Sequence, residues 1–292
     1  MKKYEITFSS VNSEIYPKPI TALVIVPDII SENTGAMLFT HGWGGNRFQH
    51  QDKMEYSVEL FNLVCVSVEY RQSGYDFDSV KGQGSYRPYD GSFMQVFDVL
   101  NGLRKVLELY PAVNRKRLFH YGGSQGGHIT LLSSIFAPNT FAFVYASCPL
   151  TRLTEPLVEW TGRCFEAHEL SVRNVLERVD SIKCPLYIEH GTADETIPHD
   201  EHSEKLEREL KRHNKEFVIK CYEGGHHSLE PAITKLDAFK IGASTRLDTF
   251  LRDCPDDFRA GRNIEIDCGT KILSINWDKP TESMELFSWV SK

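Results

Sequence analysis

The sequence has no apolar run of membrane-spanning length, no paired Cys-x-x-Cys spacing, no long basic block and no internal repeat or low-complexity segment. Each absence removes a class. A helix needs about 20 consecutive apolar residues to cross a bilayer, so no membrane partner is expected. The opening MKKYEITFSS carries two lysines but no apolar signal core behind them. Seven cysteines (Cys65, Cys148, Cys164, Cys184, Cys221, Cys254 and Cys268) are scattered and odd in number. That fits free thiols in a reducing, cytoplasmic setting better than a disulfide framework. Lys and Arg number 33 against 40 Asp and Glu, a formal charge of −7 at pH 7, which argues against a nucleic-acid surface.

What is present is an ordinary globular composition, 41% hydrophobic and 25% charged, so disordered and collagen-like classes drop out. Short apolar runs alternate with longer amphipathic ones, the pattern of an α/β sheet covered by helices. Strands are expected at YEITFSSV (4–11), ITALVIVPD (20–28), AMLFTH (36–41), VCVSVEY (64–70), RLFHYGG (117–123), AFVYASC (142–148), LYIEHG (186–191) and FVIKCYEG (217–224). From residue 37 onward their centres lack polar alternation, as strands buried on both faces of a mostly parallel sheet do. Residues 94–110 place Val96, Leu100, Leu103 and Leu107 at helical steps. Residues 203–215 repeat the pattern with Leu206 and Leu210, and Glu204 and Glu207 precede Arg208 and Lys211 by four, as on a surface helix.

Three stretches break the rhythm. Residues 71–92, rich in Gly, Tyr and Asp, read as a long loop. Residues 149–183 lie between two expected core strands and suit a lid insertion over a pocket. After residue 252 the chain leaves the α/β pattern, and NIEIDCGTKILSINW looks like two strands around a Gly turn. The division expected is therefore residues 1–252 as the α/β domain and 253–292 as a C-terminal β extension, which can pack on the sheet or, in a homo-oligomer, on another copy.

Chemistry concentrates in YGGSQGGH (121–128). Gly122, Ser124 and Gly126 satisfy G-x-S-x-G after an expected strand and before HITLLSSI, which can open a helix. In such a turn the nucleophile's backbone is strained and its neighbours two away must be glycine. A serine needs a base, and the base an orienting carboxylate. HGTADETIP places Asp194 past a strand end, with Glu195 and Asp200 as competitors, and YEGGHHS places His226 and His227 past the next strand. On their own, two adjacent histidines would pass for a surface loop. The preceding glycines favour His226 as the base. LFTHGWGGN supplies Trp43, whose N–H together with that of Gln125 can form an oxyanion hole. HDEH at 199–202 contains metal-ligand types, but it begins an exposed-looking helix and reads as solvated surface.

These segments in this order resemble the α/β-hydrolase superfamily over about residues 20–252. Within it VEYRQSGYDF, RKRLFHYGGSQGGH, HGTADETIP and YEGGHH are similar to the catalytic domain of the prolyl oligopeptidase family and to its dienelactone-hydrolase-like, acetyl-xylan and feruloyl esterase relatives. The resemblance implies a triad of Ser124, Asp194 and His226, oxyanion donors Trp43 and Gln125, and no metal or cofactor. Peptidases of the group carry a further domain for which this chain has no room, and many place a tyrosine where Trp43 stands. Gln125 is similar to its counterpart in carbohydrate-ester hydrolases. These departures favour a carboxylesterase acting on a small-molecule ester, on a carbohydrate or aromatic acid, over a prolyl-oligopeptidase-type exopeptidase or aminoacyl hydrolase. A non-catalytic binding protein ranks third. Tyr75, Tyr86, Trp160 and Phe165 are the expected substrate contacts.

Overall fold

A computed structural model describes residues 1–11, 18–78, 83–84, 88–244 and 246–292. The first four strands are β1 (Lys2–Ser9), β2 (Pro19–Val26), β3 (Gly35–Thr40) and β4 (Leu63–Glu69), with helix α1 (Gln51–Phe61) crossing between the last two. A two-residue pairing follows in the long loop, β5 (Phe77–Asp78) with β6 (Gln83–Gly84). Helix α2 (Phe93–Leu109) leads to β7 (Leu118–Gly123), helix α3 (Gln125–Phe136) to β8 (Phe143–Ser147), and the lid segment holds α4 (Glu155–Thr161) and α5 (Ala167–Val172). Then come β9 (Leu186–Gly191), α6 (Ser203–Arg212), β10 (Phe217–Tyr222) and α7 (Lys235–Ser244), and last α8 (Asp257–Ala260) with β11 (Asn263–Asp267), β12 (Lys271–Asn276) and β13 (Phe287–Ser291).

Eight strands form one sheet in the order β1-β2-β4-β3-β7-β8-β9-β10. β1, β2 and β4 pair antiparallel and the pairs from β4 through β10 are parallel. Alternation along a strand explains the unbroken apolar centres: Ala36 and Leu38 of β3 face a core closed by α2 and α3, while Met37 and Phe39 face a second core closed by α1 and α7. β10 departs from that reading. As the edge strand it has one neighbour, β9, and Val218, Lys220 and Cys221 are exposed while Phe217 and Ile219 are only half-buried.

The expected helices lie within a few residues of their predicted ends, and the ion pairs Glu204–Arg208 and Glu207–Lys211 form on the outer face of α6. The expected Gly turn joins β11 to β12, with Gly269 at φ 83°, and β13 adds a third strand. This small sheet packs on the main body. Ile266, Leu273, Ile275, Trp277 and Leu286 share the core of α2 and α3, and Phe287 stacks on Phe97 with ring centres 4.6 Å apart.

Trp277 is fully buried, and its indole N–H donates to the carbonyl of Phe136 at the end of α3 (2.9 Å). Trp277→Ala should therefore lower unfolding free energy by about 3–5 kcal/mol, from the lost burial and the cavity left behind; urea denaturation measures it.

Glu189 of β9 is also fully buried, accepting a hydrogen bond from the Tyr145 hydroxyl (2.6 Å) on Oε2 while Oε1 has no protein partner. Burial pushes its carboxyl up to about 7, with the Tyr145 hydroxyl and the lysines at 235 and 53 opposing the rise. The ordinary value is about 4.3, so between there and pH 7 the folded state holds more proton than the unfolded one. Stability therefore falls as pH rises through that window, by up to about 3 kcal/mol, and levels off above it. Glu189→Gln cannot ionise and should gain stability relative to the wild type from pH 5 to pH 7, as read by denaturant titrations at each pH.

Candidate active site

The turn from β7 into α3 sets the position of Ser124. Its backbone lies at φ 58° and ψ −125°, a region disfavoured for a side-chain-bearing residue. Two contacts hold it there: Ser124 N–H donates to Ser147 of β8 (2.8 Å), and the Ser124 carbonyl accepts from His128 in the first turn of α3 (3.1 Å). The flanking glycines are required sterically. A Cβ on Gly126 would collide with the carbonyl oxygens of Thr40 and His41, and one on Gly122 with that of Gly126.

Ser124 faces a cleft of about 300 Å³ at the carboxyl edge of the sheet. Trp43, Gln125 and His227 line the same cleft. The Gln125 side chain is engaged within the protein: its carbonyl accepts from the hydroxyls of Tyr89 (2.8 Å) and Tyr70 (3.3 Å), and its amide donates to Gln95 (2.9 Å). As the first residue of α3, its backbone N–H has no carbonyl to serve within the helix. The Trp43 ring stacks on Tyr89 at 4.3 Å and meets Trp160 edge-on at 6.0 Å.

Asp194 follows β9 in a tight turn, buried, with Oδ1 accepting the N–H groups of Thr196 and Ile197 (both 2.9 Å). Its Oδ2 accepts from His227 Nδ1 (2.7 Å) and lies 3.1 Å from His190 Nε2. Burial would raise this carboxyl, but the hydrogen bonds from His190 and His227 outweigh it and hold the group well below the ordinary range. Glu195 and Asp200, the competing acids, are exposed.

The expectation for the histidine needs correction. His227, not His226, reaches Asp194. His226 is exposed, and its Nδ1 pairs instead with the carbonyl of Ala193 (3.1 Å). The reason is a turn immediately after the glycines: His226 N–H bonds to Glu230 and its carbonyl accepts from Leu229. That turn spends residue 226 on the outer rim and brings the next side chain inward.

The expected substrate contacts divide. Trp160 of α4 lines the cleft at 46% exposure. Tyr75 does not, being 97% exposed in solvent. Phe165 packs with Leu153 and Leu157 within the lid segment, with the guanidinium groups of Arg163 and Arg173 at 4.2 and 4.8 Å from its ring centre, and it too is not part of the lining. Tyr86 lies outside the described residues. Sequence reading missed Leu150, Leu157, Ile197, His50 and Lys235, which line the cleft without any motif to mark them.

Among the described residues, Cys148, Asp194 and His227 bring potential metal-ligand atoms within 4.8 Å of one another. Burial pushes the Cys148 thiol up to about 12, so it holds its proton near neutral pH, and Asp194 is already engaged by two imidazoles. This chemistry suits an acid–imidazole pair beside an inert thiol. Elsewhere no helix of the described residues is long and apolar enough to cross a membrane.

Residues 93–246 match the prolyl oligopeptidase family, and residues 1–152 match acetyl xylan esterase. Among solved structures, the fold is similar to that of acylaminoacyl peptidase from Pyrococcus horikoshii (TM-score 0.69, 17% identity, covering 87% of this chain and 42% of that one). It is also similar to a puromycin-hydrolysing peptidase of Mycobacterium tuberculosis (TM-score 0.65, 18% identity, covering 82% and 38%). A third is a putative dipeptidyl aminopeptidase IV of Bacteroides ovatus (TM-score 0.64, 14% identity, covering 86% and 36%). The chain thus spans about two fifths of the length of these structures. Each of the two family matches takes in more than half of the sequence, and they overlap across the serine turn: the chain is an α/β hydrolase that belongs to the prolyl oligopeptidase family and shares its amino-terminal half with the acetyl xylan esterases.

Proposed function

We propose that this hydrolase works by acyl transfer through Ser124, with His227 as general base and Asp194 as its orienting acid. The observation that carries the reading is the short His227–Asp194 hydrogen bond at the mouth of the cleft into which the strained serine turn opens. With Nδ1–H given to the carboxylate, Nε2 is left to take the Ser124 proton as Oγ attacks a carbonyl carbon. The N–H groups of Trp43 and Gln125 would stabilise the oxyanion, and His227 then returns the proton to the leaving group. Water activated by the same imidazole releases the acyl group. No step calls on a metal or cofactor.

Two bond types compete. The prolyl oligopeptidase match and the peptidases among the structural neighbours weigh towards short peptides or aminoacyl amides. Esters, placed first from sequence, are supported by the acetyl xylan esterase match over residues 1–152 and by Trp43 in place of a tyrosine. We take the aminoacyl amide as the leading substrate class and the carboxylic ester as the second. Rates on an aminoacyl 4-nitroanilide against 4-nitrophenyl acetate separate them, and a rate on the acetate alone would restore the ester to first place.

A fluorophosphonate probe should label Ser124, and Ser124→Ala should lower kcat by at least about a thousandfold. The adjacent histidines give a sharper check. His227→Ala should cost a comparable factor, while His226→Ala should stay within about threefold of wild type; the reverse order would return the base to position 226.

A further inference from the structure

Lys235, the first residue of α7, supplies the only Lys, Arg, Asp or Glu side chain among the described residues lining the cleft. It is partly exposed, and no described carboxylate forms an ion pair with its ammonium within 4.0 Å. Its positive charge bears on the buried Glu189, His50 and Cys148. Beside it His50 is 3% exposed and lines the same cleft; Nε2 lies 3.2 Å from the Thr40 carbonyl, and Nδ1 has no hydrogen-bond partner among the described residues. If Nε2 donates to that carbonyl, Nδ1 is a buried acceptor. Burial, with the neighbouring positive charges, keeps this ring neutral. Leu150, Leu157, Trp160 and Ile197 supply an apolar portion of the lining.

A buried acceptor with no described partner is costly to keep unless something that enters the cleft satisfies it, and an ammonium in the cleft lining with no described carboxylate beside it is available to an anionic group of the same molecule. We propose that Lys235 is a specificity-determining residue that selects substrates carrying a carboxylate, held by its ammonium, with the His50 Nδ1 lone pair accepting from a neighbouring hydroxyl or N–H of the same molecule. The apolar lining then takes the rest of the substrate. This rests on the acyl-transfer reading of the same cleft. A competing role for Lys235 is purely internal, to offset the charge of Glu189, and it predicts no substrate discrimination.

The test uses activated esters, which report acyl transfer whichever bond is native. One pair consists of a 4-nitrophenyl ester whose acyl chain ends in a carboxylate and the methyl ester of that carboxylate. A second pair carries the carboxylate or its methyl ester on the nitrophenyl ring. In at least one pair the wild type should favour the carboxylate by about tenfold or more in kcat/KM, the scale of a charge-assisted hydrogen bond. Lys235→Met should bring that ratio close to one, Lys235→Arg should retain most of it, and Lys235→Glu should invert it. Turnover without a carboxylate preference in either pair overturns the inference alone. So does a Lys235→Met variant that slows both members of a pair equally, the signature of the internal role. No turnover of any of the four esters, together with no fluorophosphonate labelling of Ser124, overturns the hydrolase reading and this inference with it.

Discussion

The site depends on how closely three strand ends approach beneath one turn. At Gly126 the start of α3 runs against the Thr40 and His41 carbonyls at the end of β3, with no room for a methyl group. Ser124 N–H is tied at the same time to Ser147 at the end of β8. The serine is therefore held from both sides by neighbouring strands of a parallel sheet, and its unfavourable φ persists because these contacts over-determine it. The same closeness puts the loop after β3, with Trp43, beside Ser124. Parallel strands all end at one edge, so side chains far apart in sequence meet there with no further device.

One carboxylate then serves two imidazoles. His190 lies within the protein, between Asp194, the carbonyl of Ile197 (2.8 Å) and the Ser203 hydroxyl (2.6 Å), whereas His227 lies at the cleft. The inner ring and the two backbone N–H groups on Oδ1 hold the carboxylate alongside the outer ring. Asp194 thus has partners besides His227, which is what the proposed role of orienting that imidazole would ask of it.

Much of this was legible in the sequence because the signals were local. The β7–α3 turn was readable from glycine spacing, since each glycine answers a steric demand two residues away. The sheet was readable from apolar runs, except at β10, where a sequence run cannot reveal that a strand lacks a second neighbour. Asp194 could be placed by its position after β9. The histidine could not: whether residue 226 or 227 points inward depends on a turn closed by Leu229 and Glu230, downstream of any motif. Tyr75, on the long loop, and Phe165, in the lid segment, were chosen for residue type, and residue type does not say whether an aromatic ring meets ligand, solvent or a pair of guanidinium groups. Lys235 and His50 reach the cleft from helix α7 and from the residue before α1, brought there by packing across the sheet edge.

Beneath the reactive surface, Tyr89 links the two residues whose N–H groups would receive the oxyanion. Its ring stacks on Trp43 and its hydroxyl donates to Gln125, so one buried side chain spans the loop after β3 and the first turn of α3. Gln125 extends the link through Gln95, whose side-chain carbonyl also accepts the N–H of Ser92 at the start of α2 (2.8 Å). A buried amide satisfied at both ends has little freedom to rotate, because each alternative orientation would leave a polar atom without a partner. Hydrogen bonds facing away from the cleft therefore hold Gln125 in place, and in the proposed mechanism they would give its backbone N–H the rigidity that an oxyanion donor needs.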